Sequence, residues 1–272
     1  MKVRKPSYDY TASLPRWCRT YPEYSQIVNV ASLTLPYLEP YLNTVMRRAQ
    51  IKLGPAHPLN ADISLFCKQE AAHYLQHDAY NEAMRKAGYA RLPEFEEGFR
   101  AHFDRLLEQR SLRFNCAYSL GFESIGPIYA EWWFEQTDDV MAGADRSVVS
   151  LWKWHLAEEF EHRKVAYDVY QALFGGYMFG GFIYRMYGLL SFLRDLRTIN
   201  GGALKYLLAE DAKQMSAEEQ LLSRKRFAEI RQRESAFVRS RLRRVMSPFY
   251  TPHKLREPRG VADLLQKISA AA

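Results

Sequence analysis

The sequence predicts an all-α fold, in which four long helices form a bundle and further helices follow towards the C-terminus. Apolar residues recur at helical spacing along most of the chain, and the alternation typical of β-strands is scarce. The 272 residues are 47% hydrophobic and 14% aromatic, which is enough to bury one large core. We therefore expect residues 1–175 to form the four-helix bundle and residues 176–272 to form a helical extension that packs on it.

Two of the four helices lie in the first third of the chain. The segment LPYLEPYLNTVMRRAQ predicts the first helix, whose early turns carry Pro36 and Pro40 and leave its start open. The second helix contains DISLFCKQEAAHYLQHDAYNEAMRKAG, with Asn60 as its candidate N-cap and Gly88 as its predicted end.

The other two helices occupy the middle of the chain. A third helix is predicted from Ser111 to Gln136, with a kink at Gly126-Pro127. A fourth is predicted from about Ala144 to Gly175, with Asp145 or Ser147 as its N-cap. Together with the first two, these segments provide the four helices that a bundle requires.

The chain changes in character after the fourth helix. The run from Ala172 to Leu193 is rich in glycine and aromatic residues, and Arg185 is its only charge. The run is long enough to span a bilayer, but the central arginine and the glycines favour a buried or interfacial helix pair, with membrane contact as the alternative. A polar, basic helix then begins at Ser216, where Glu219 completes a predicted capping box.

Positive charge is concentrated in the C-terminal part of the chain. Twelve Lys or Arg residues and three Glu residues fall between Leu222 and Arg259, a net charge of +9, whereas the whole chain carries +7. We interpret this segment as a solvated helix with an excess of arginine. Contact with an anionic membrane or with nucleic acid is the alternative.

The cysteines and the N-terminal residues favour a reducing, cytoplasmic setting. Cys18, Cys67 and Cys116 are odd in number and scattered, so they predict neither a disulfide framework nor a zinc knuckle. The N-terminal stretch MKVRKPSYDYTASLPRW is charged and then polar, without the apolar core of a signal peptide. We expect a cytoplasmic protein, with association to a membrane as the alternative.

The stretch HLAEEFEH, from His155 to His162, combines metal-ligating residue types at helical spacing. On a helix that advances about 100° per residue, Glu159 lies at about +40° and His162 at about −20° from His155. Glu158 and Glu161 fall near about −60° and −120° on this scale, at the flank or on the solvent side. His155, Glu159 and His162 therefore share one face.

The same Glu-x-x-His spacing recurs on the second helix. In QEAAH, Glu70 and His73 lie about 60° apart, and His77 falls between them. One copy occurs by chance in many helices. Two copies on two bundle helices are typical of a di-metal carboxylate centre, which also takes one Glu from each of two other helices. We interpret His77 as a core histidine, with a supporting contact to the ligands as the alternative.

Isolated glutamates on the other two helices complete this pattern. Glu39 in LPYLEPYL and Glu123 in SLGFESIGPIY each stand alone among apolar residues. A carboxylate is costly to bury in such surroundings unless it is paired or bound to a cation. The predicted metal ligands are Glu39, Glu70, His73, Glu123, His155, Glu159 and His162.

The donor types predict two metal ions and a role for each ligand. Glu70 and Glu159 are the predicted bridges and the carboxylates central to catalysis. This glutamate-rich set suits iron, with manganese and zinc as alternatives. The predicted terminal ligands are His73, His162, Glu39 and Glu123, with His155 as a third nitrogen donor. The glutamates left out of the site are Glu131, Glu135, Glu158 and Glu161.

Two blocks, FCKQEAAHYLQHDAYN and WKWHLAEEFEHRKVAYDVY, resemble those of the predicted metal-dependent hydrolases, and the similarity extends from about Ala12 to Ile268. The ligand order also resembles the ferritin-like di-iron oxygenases, in particular the p-aminobenzoate N-oxygenase group. In that group a histidine four residues before the last Glu-x-x-His adds a seventh ligand, and His155 stands at that position here. The resemblance implies a ferritin-like bundle with a di-iron centre. It implies no arylamine substrate, because it is confined to the ligand positions.

The preferred hypothesis is an oxidase or oxygenase, in which two iron ions, dioxygen and an electron donor oxidise a small apolar substrate. The alternative is a metal-dependent hydrolase, in which the same ions activate water towards an ester or phosphoester. The wholly helical, glutamate-rich site favours the first. An iron store, or a bundle whose basic tail engages a membrane or a partner, is the non-enzymatic alternative. We expect no nucleic-acid partner and leave a homodimer open.

Overall fold

The structure, a computed structural model, describes residues 1–175 and 178–271. These residues form α-helices and no strand, so the all-α prediction is confirmed. The helices are α1 (Pro22–Leu53), α2 (Leu59–Lys86), α3 (Leu92–Gln109), α4 (Leu112–Glu123), α5 (Gly126–Glu135), α6 (Arg146–His162), α7 (Val165–Phe174), α8 (Met178–Ala212), α9 (Ala217–Val245) and α10 (Val261–Ala271). A 3₁₀ turn, Pro252–Lys254, lies between α9 and α10.

Helices α1, α2, α4 and α6 surround the region that matters for function. α1 packs on both α2 and α4, and α2 packs on α6. α5 lies between α4 and α6 and contacts both. The sequence did not predict α3, an amphipathic helix that packs on α1 and α8 and buries Phe99 and Phe103.

α1 begins at Pro22, well before the predicted segment, and it continues through Pro36 and Pro40. A proline inside a helix has no N–H for the carbonyl four residues earlier, so Pro36 leaves the Ser32 carbonyl without its helical partner. The side-chain Nδ2 of Asn81 on α2 donates to that carbonyl at 2.9 Å. The proline therefore creates a specific contact between α1 and α2.

The N-cap predicted for the second helix is wrong, whereas its predicted end is right to within a residue. α2 begins at Leu59 with Pro58 in the capping position. Asn60 lies inside the first turn, and its Nδ2 donates to the carbonyl of Gly54 at 2.9 Å. At the other end Gly88 has a φ of 91°, a left-handed conformation that glycine adopts readily where a helix ends.

The predicted third and fourth helices begin where expected, but each is divided into two. Ser111 caps α4 and Asp145 caps α6, and both side chains accept hydrogen bonds from backbone N–H groups of the first turn. The expected kink at Gly126-Pro127 is a break, because Pro127 offers no N–H to the carbonyl of Glu123 at the end of α4. A second break, at residues 163–164, separates α6 from α7.

The aromatic, Gly-rich run leads into a single helix. Residues 176 and 177 of the run lie outside the described residues; from Met178 onward it belongs to α8, so a helix pair is wrong for this part. Arg185 is buried on α8, and its guanidinium donates to the carbonyls of Val245 and Ser247 at 3.0 and 2.6 Å. One carbonyl at the C-terminal end of α9 and one just beyond it thus satisfy this buried cation. None of the described helices has both the length and the apolarity that crossing a membrane requires.

The basic C-terminal segment forms α9, which starts at the predicted capping box. The hydroxyl of Ser216 accepts from the N–H of Glu219, and the Glu219 carboxylate accepts from the N–H of Ser216. Acidic residues of the bundle offset part of the positive charge and hold this segment against it. The ion pairs are Arg226–Glu23 at 2.6 Å, Arg233–Asp139 at 2.6 Å and Arg241–Glu131 at 2.7 Å.

Candidate metal centre

Four helices bring all seven predicted ligands into one buried region. α1 supplies one of them, α2 two, the C-terminal end of α4 one and α6 three. Each of the seven residues is at most 2% exposed. In helix order they are Glu39; Glu70 and His73; Glu123; and His155, Glu159 and His162.

Six of the seven form two groups suited to one cation each. Within each group of four residues, one donor atom per residue lies within 4.8 Å of the others. Two residues belong to both groups, which therefore adjoin one another. The groups are Glu39, His73, His155 and Glu159, and Glu70, His73, Glu159 and His162.

The shared residues differ in what they can offer to two cations. Glu159 has two carboxylate oxygens and can bridge two ions, whereas only one ring nitrogen of His73 faces the groups. The geometry is thus consistent with Glu159 as a bridge. Glu70 belongs to one group only, so its bridging role remains a prediction, and Glu123 belongs to neither group.

The donor atoms of this region lack partners within the described part of the chain. Both carboxylate oxygens of Glu39, Glu70 and Glu159 are buried without a hydrogen bond. Nδ1 of His73 and Nε2 of His162 are also buried and unpartnered. Buried polar atoms are nearly always hydrogen-bonded, so a cluster of unpartnered carboxylate and imidazole atoms fits bound cations. Four carboxylates carry up to four negative charges, which two divalent ions balance.

The outer ring nitrogen of His73, the one that faces away from the centre, is hydrogen-bonded to a carboxylate. Nε2 of His73 lies 3.0 Å from Glu158, and the other oxygen of Glu158 accepts from Arg4 at 2.9 Å. With Nε2 protonated, Nδ1 presents its lone pair towards Glu70 and Glu159, both 3.9 Å away. This is the carboxylate–histidine arrangement that orients metal ligands in proteins.

The prediction that Glu158 lies at the flank or on the solvent side is wrong. Its side chain is fully buried, whereas that of Glu161 is 21% exposed and pairs with Arg4 at 3.0 Å. Burial raises the pKa of Glu158, although Arg4 opposes this shift. The helical angle of Glu158, close to that of His162, was the only local signal of its role. Its partner Arg4 lies 154 residues away in the chain.

A second carboxylate holds the outer nitrogen of His162. Nδ1 of His162 lies 3.2 Å from Glu123, and Nε2 lies 3.0 Å from Glu70 and 3.8 Å from Glu159, in neither case with the geometry of a hydrogen bond. Glu123 therefore stands behind the imidazole, where it orients His162. Its other oxygen is buried and has no partner within the described residues, so a terminal metal contact by Glu123 remains a prediction.

The outer nitrogen of His155 is held by a third partner, His77. Nε2 of His77 lies 3.2 Å from Nδ1 of His155, and Nδ1 of His77 lies 2.9 Å from the hydroxyl of Ser32. That hydroxyl donates to Oδ1 of Asn81 at 2.7 Å, so it accepts from His77.

Proton positions follow along this chain of hydrogen bonds. Asn81 is oriented because its Nδ2 donates to the backbone carbonyl of Ser32. His77 then carries its proton on Nδ1 and accepts at Nε2 from the N–H at Nδ1 of His155. This leaves a lone pair on Nε2 of His155, which faces Glu159 at 3.4 Å. The preferred interpretation of His77 as a core histidine is correct for its burial, and the alternative, a supporting contact to a predicted ligand, describes its bond to His155.

Burial and mutual repulsion shift the protonation of the site. Burial raises the pKa of Glu39 and Glu159 well above the usual range, and the neighbouring carboxylates add to the rise. Burial also raises the pKa of Glu123 to about 7, although His162 opposes it. The protein without cations therefore holds extra protons here, and cation binding displaces them.

The histidines divide into two classes. Burial lowers the pKa of His73 and His155 well below the usual range, so both are neutral and able to bind a cation. Burial also lowers the pKa of His162, but the nearby carboxylates, led by Glu123, outweigh it and raise that pKa well above normal. His162 is thus the imidazole that must lose a proton when a cation binds.

The break between α4 and α5 allows the backbone to approach Glu159 closely. A Cβ atom at Gly126 would lie 2.5 Å from Oε2 of Glu159 and 3.1 Å from its Cβ. A side chain at position 126 would therefore force the Glu159 carboxylate to shift. The sequence marked Gly126 as part of a kink, and its contact with the site appears only in three dimensions.

The family model of the predicted metal-dependent hydrolases matches residues 2–255 of the chain. The match includes all seven predicted ligands together with Arg4, His77, Gly126 and Glu158. No curated protein and no solved structure matches the chain. By this match the chain belongs to the family of predicted metal-dependent hydrolases.

Proposed function

We propose that the chain is a metal-dependent hydrolase with a dinuclear centre, built on a ferritin-like bundle of α1, α2, α4 and α6. The family match supports hydrolysis rather than the oxygenase that the sequence pattern favours. The main support for a metal centre is the convergence of buried, unpartnered carboxylate and imidazole atoms from four helices. The substrate class proposed at this stage is a small ester or phosphoester.

The proposed ligands fall into two sets, one for each ion. Glu39 and His155 serve one, Glu70 and His162 serve the other, and Glu159 lies between them. When bound, two such cations acidify water and polarise the bond to be hydrolysed. Manganese or zinc fits this chemistry, and the oxygen-rich donor set also accepts iron.

The remaining polar residues keep this arrangement fixed. Glu158, Glu123 and His77 each hold the outer nitrogen of one ligand histidine, so the inner nitrogen presents a lone pair in His73 and His155, and in His162 once its extra proton has left. Ligands that are locked in this way need little reorganisation on cation binding. Burial of the whole set excludes bulk water and strengthens the electrostatic interactions within it.

A second candidate function is oxidation of a small apolar substrate with dioxygen and an electron donor. The observation in its favour is the donor set itself, four glutamates and three histidines that all lie on helices. Bundle proteins with this composition form di-iron and di-manganese carboxylate centres. Under this alternative the same residues hold two iron ions.

Turnover assays on metal-loaded protein separate the two functions. The protein is stripped of metal, reloaded anaerobically with manganese, zinc or ferrous iron, and tested against p-nitrophenyl carboxylic and phosphate esters. We expect metal-dependent hydrolysis that is lost in Glu159→Ala and kept in Glu161→Ala. Absence of hydrolysis, together with rapid oxygen consumption and a transient visible absorption by the ferrous protein, would favour the second candidate instead.

A further inference from the structure

A cavity of about 330 Å³ lies beside the metal centre, where α9 and the residues after it meet the break between α4 and α5. Ser124 and Pro127 line it, and Gly126, between them in the chain, is the residue that comes against Glu159. Phe160, which follows Glu159 on α6, also lines it. The cavity and the centre therefore share a wall, and the volume is that of a small-molecule site.

Three arginines line this cavity, and one of them has no acidic partner. Arg241 pairs with Glu131 at 2.7 Å, and Arg256 pairs with both oxygens of Glu135, the closer at 2.7 Å. Within the described residues, no carboxylate lies within ion-pair distance of Arg244. The opposite charges within each of the two ion pairs cancel. The guanidinium of Arg244 therefore gives the cavity one uncompensated positive charge.

The rest of the lining mixes polar and apolar side chains. Ile128 and Val245 are buried side chains of α5 and α9, and Leu255 follows the 3₁₀ turn. The guanidinium of Arg185 donates to the carbonyl of Val245 and so holds this part of the lining in place. Apolar side chains next to a guanidinium without an acidic partner match a molecule with one anionic group and a short apolar body.

We propose that this cavity is the substrate subsite and that it takes a small amphipathic monoanion. The carboxylate or phosphate group of the ligand pairs with Arg244, and its apolar body packs on Ile128 and Leu255. This assignment rests on the proposed hydrolase function, since it names the substrate class of that enzyme: a compound with an anionic group besides the bond that is cleaved.

Calorimetric binding to the metal-loaded full chain tests the assignment. The probes are octanoate and octyl phosphate, which carry the two anionic groups, and octanol, which has the same tail without charge. Arg244→Gln is compared with Arg243→Gln; both arginines are exposed, but only Arg244 lines the cavity. We expect Arg244→Gln to weaken binding of the preferred anion about tenfold or more, Arg243→Gln to leave it unchanged, and octanol to bind weakly to all three proteins.

The outcomes separate this inference from the hydrolase proposal, because binding and turnover are read independently. If anions bind through Arg244 but no ester is turned over, the hydrolase proposal fails and the anion site stands. The inference is overturned if Arg244→Gln binds octanoate and octyl phosphate like the wild type, as expected for anions held only by the metal ions. It is also overturned if both arginine variants lose affinity equally, or if octanol binds as tightly as the anions.

Discussion

Nε2 of His77 lies 3.2 Å from Nδ1 of His155, and both rings are buried. Because His77 is itself fixed by Ser32, it determines which nitrogen of His155 faces the centre. We expect His77→Phe, which keeps the ring volume but not the hydrogen bond, to weaken metal binding about 10- to 100-fold. Competition with a chelator measures the affinity. The control is His253→Phe, at a half-exposed histidine that pairs with Asp168. Equal metal affinities in the two variants would show that His77 only fills the core.

Substitution of Gly126 tests the close approach to Glu159. An alanine Cβ would come within 2.5 Å of the Glu159 carboxylate, so we expect Gly126→Ala to displace this ligand and lose at least one metal ion. The overpacking costs about 1–3 kcal/mol of folding stability. Metal analysis and thermal unfolding measure the two effects.

Gly98→Ala is the matched control for this prediction. Gly98 lies inside α3, and a Cβ there meets nothing within 4 Å. We expect it to keep full metal content and to stabilise the fold by roughly 0.5–1 kcal/mol, because alanine restricts the unfolded chain more than glycine. Full metal content in Gly126→Ala as well would contradict the proposed position of Glu159.

Arg4 links the N-terminal segment to the centre through Glu158. We expect Arg4→Met to leave a buried carboxylate without its cation, at a cost of about 3–5 kcal/mol in folding stability. The pKa of Glu158, already raised by burial, then rises further, so the carboxylate holds His73 less firmly and metal affinity falls about tenfold. Denaturant unfolding and chelator competition test this, with Lys5→Met at an exposed neighbour as control. Unchanged metal affinity in Arg4→Met would limit Arg4 to a structural role.

The metal-free protein is expected to lose stability as the pH rises from about 7.5 to 8.5, where histidines of the unfolded chain are already neutral. The folded state binds more protons than the unfolded state in this window, because folding raises the pKa values of four groups. These groups are Glu39, Glu123, Glu159 and His162. The lowered pKa values of His73, His77 and His155 add little there, because these rings are neutral in the folded state and almost entirely neutral in the unfolded state above about pH 7.5. Their effect, stability that increases with pH, is confined to lower pH.

Melting temperatures at several pH values test this prediction, with metal-loaded protein as the reference. Bound cations take the place of the protons, so the loaded protein should keep its melting temperature over the same window. Equal pH dependence of the two forms would show that the carboxylates are not coupled in the way that the buried geometry implies.

The sequence predicted which residues converge where helical geometry alone decides which side chains share a face. His155, Glu159 and His162 lie on one helix, and their common face follows from the residue spacing. Glu39 was found for another reason, because an isolated carboxylate among apolar residues needs a compensating charge. Both arguments are local, and the structure brings these residues together as the arguments require.

The features that the sequence did not predict depend on residues far apart in the chain. Glu158 is buried because Arg4, 154 residues away, pairs with it, and no local pattern indicates such a partner. The break at Gly126 is needed for the approach of α5 to Glu159 on α6, which appears only once these helices pack. The division into a bundle and a C-terminal extension remains a prediction.

The most direct test of a dinuclear centre is the metal content of the purified chain, combined with anomalous diffraction to locate the ions. We predict two ions per chain, on either side of Glu159, one near Glu39 and His155 and the other near Glu70 and His162. Glu159→Ala and His162→Ala should lose metal, while Glu161→Ala retains it. Chains without stoichiometric metal, ions bound elsewhere, or equal metal content in the three variants would contradict the central claim.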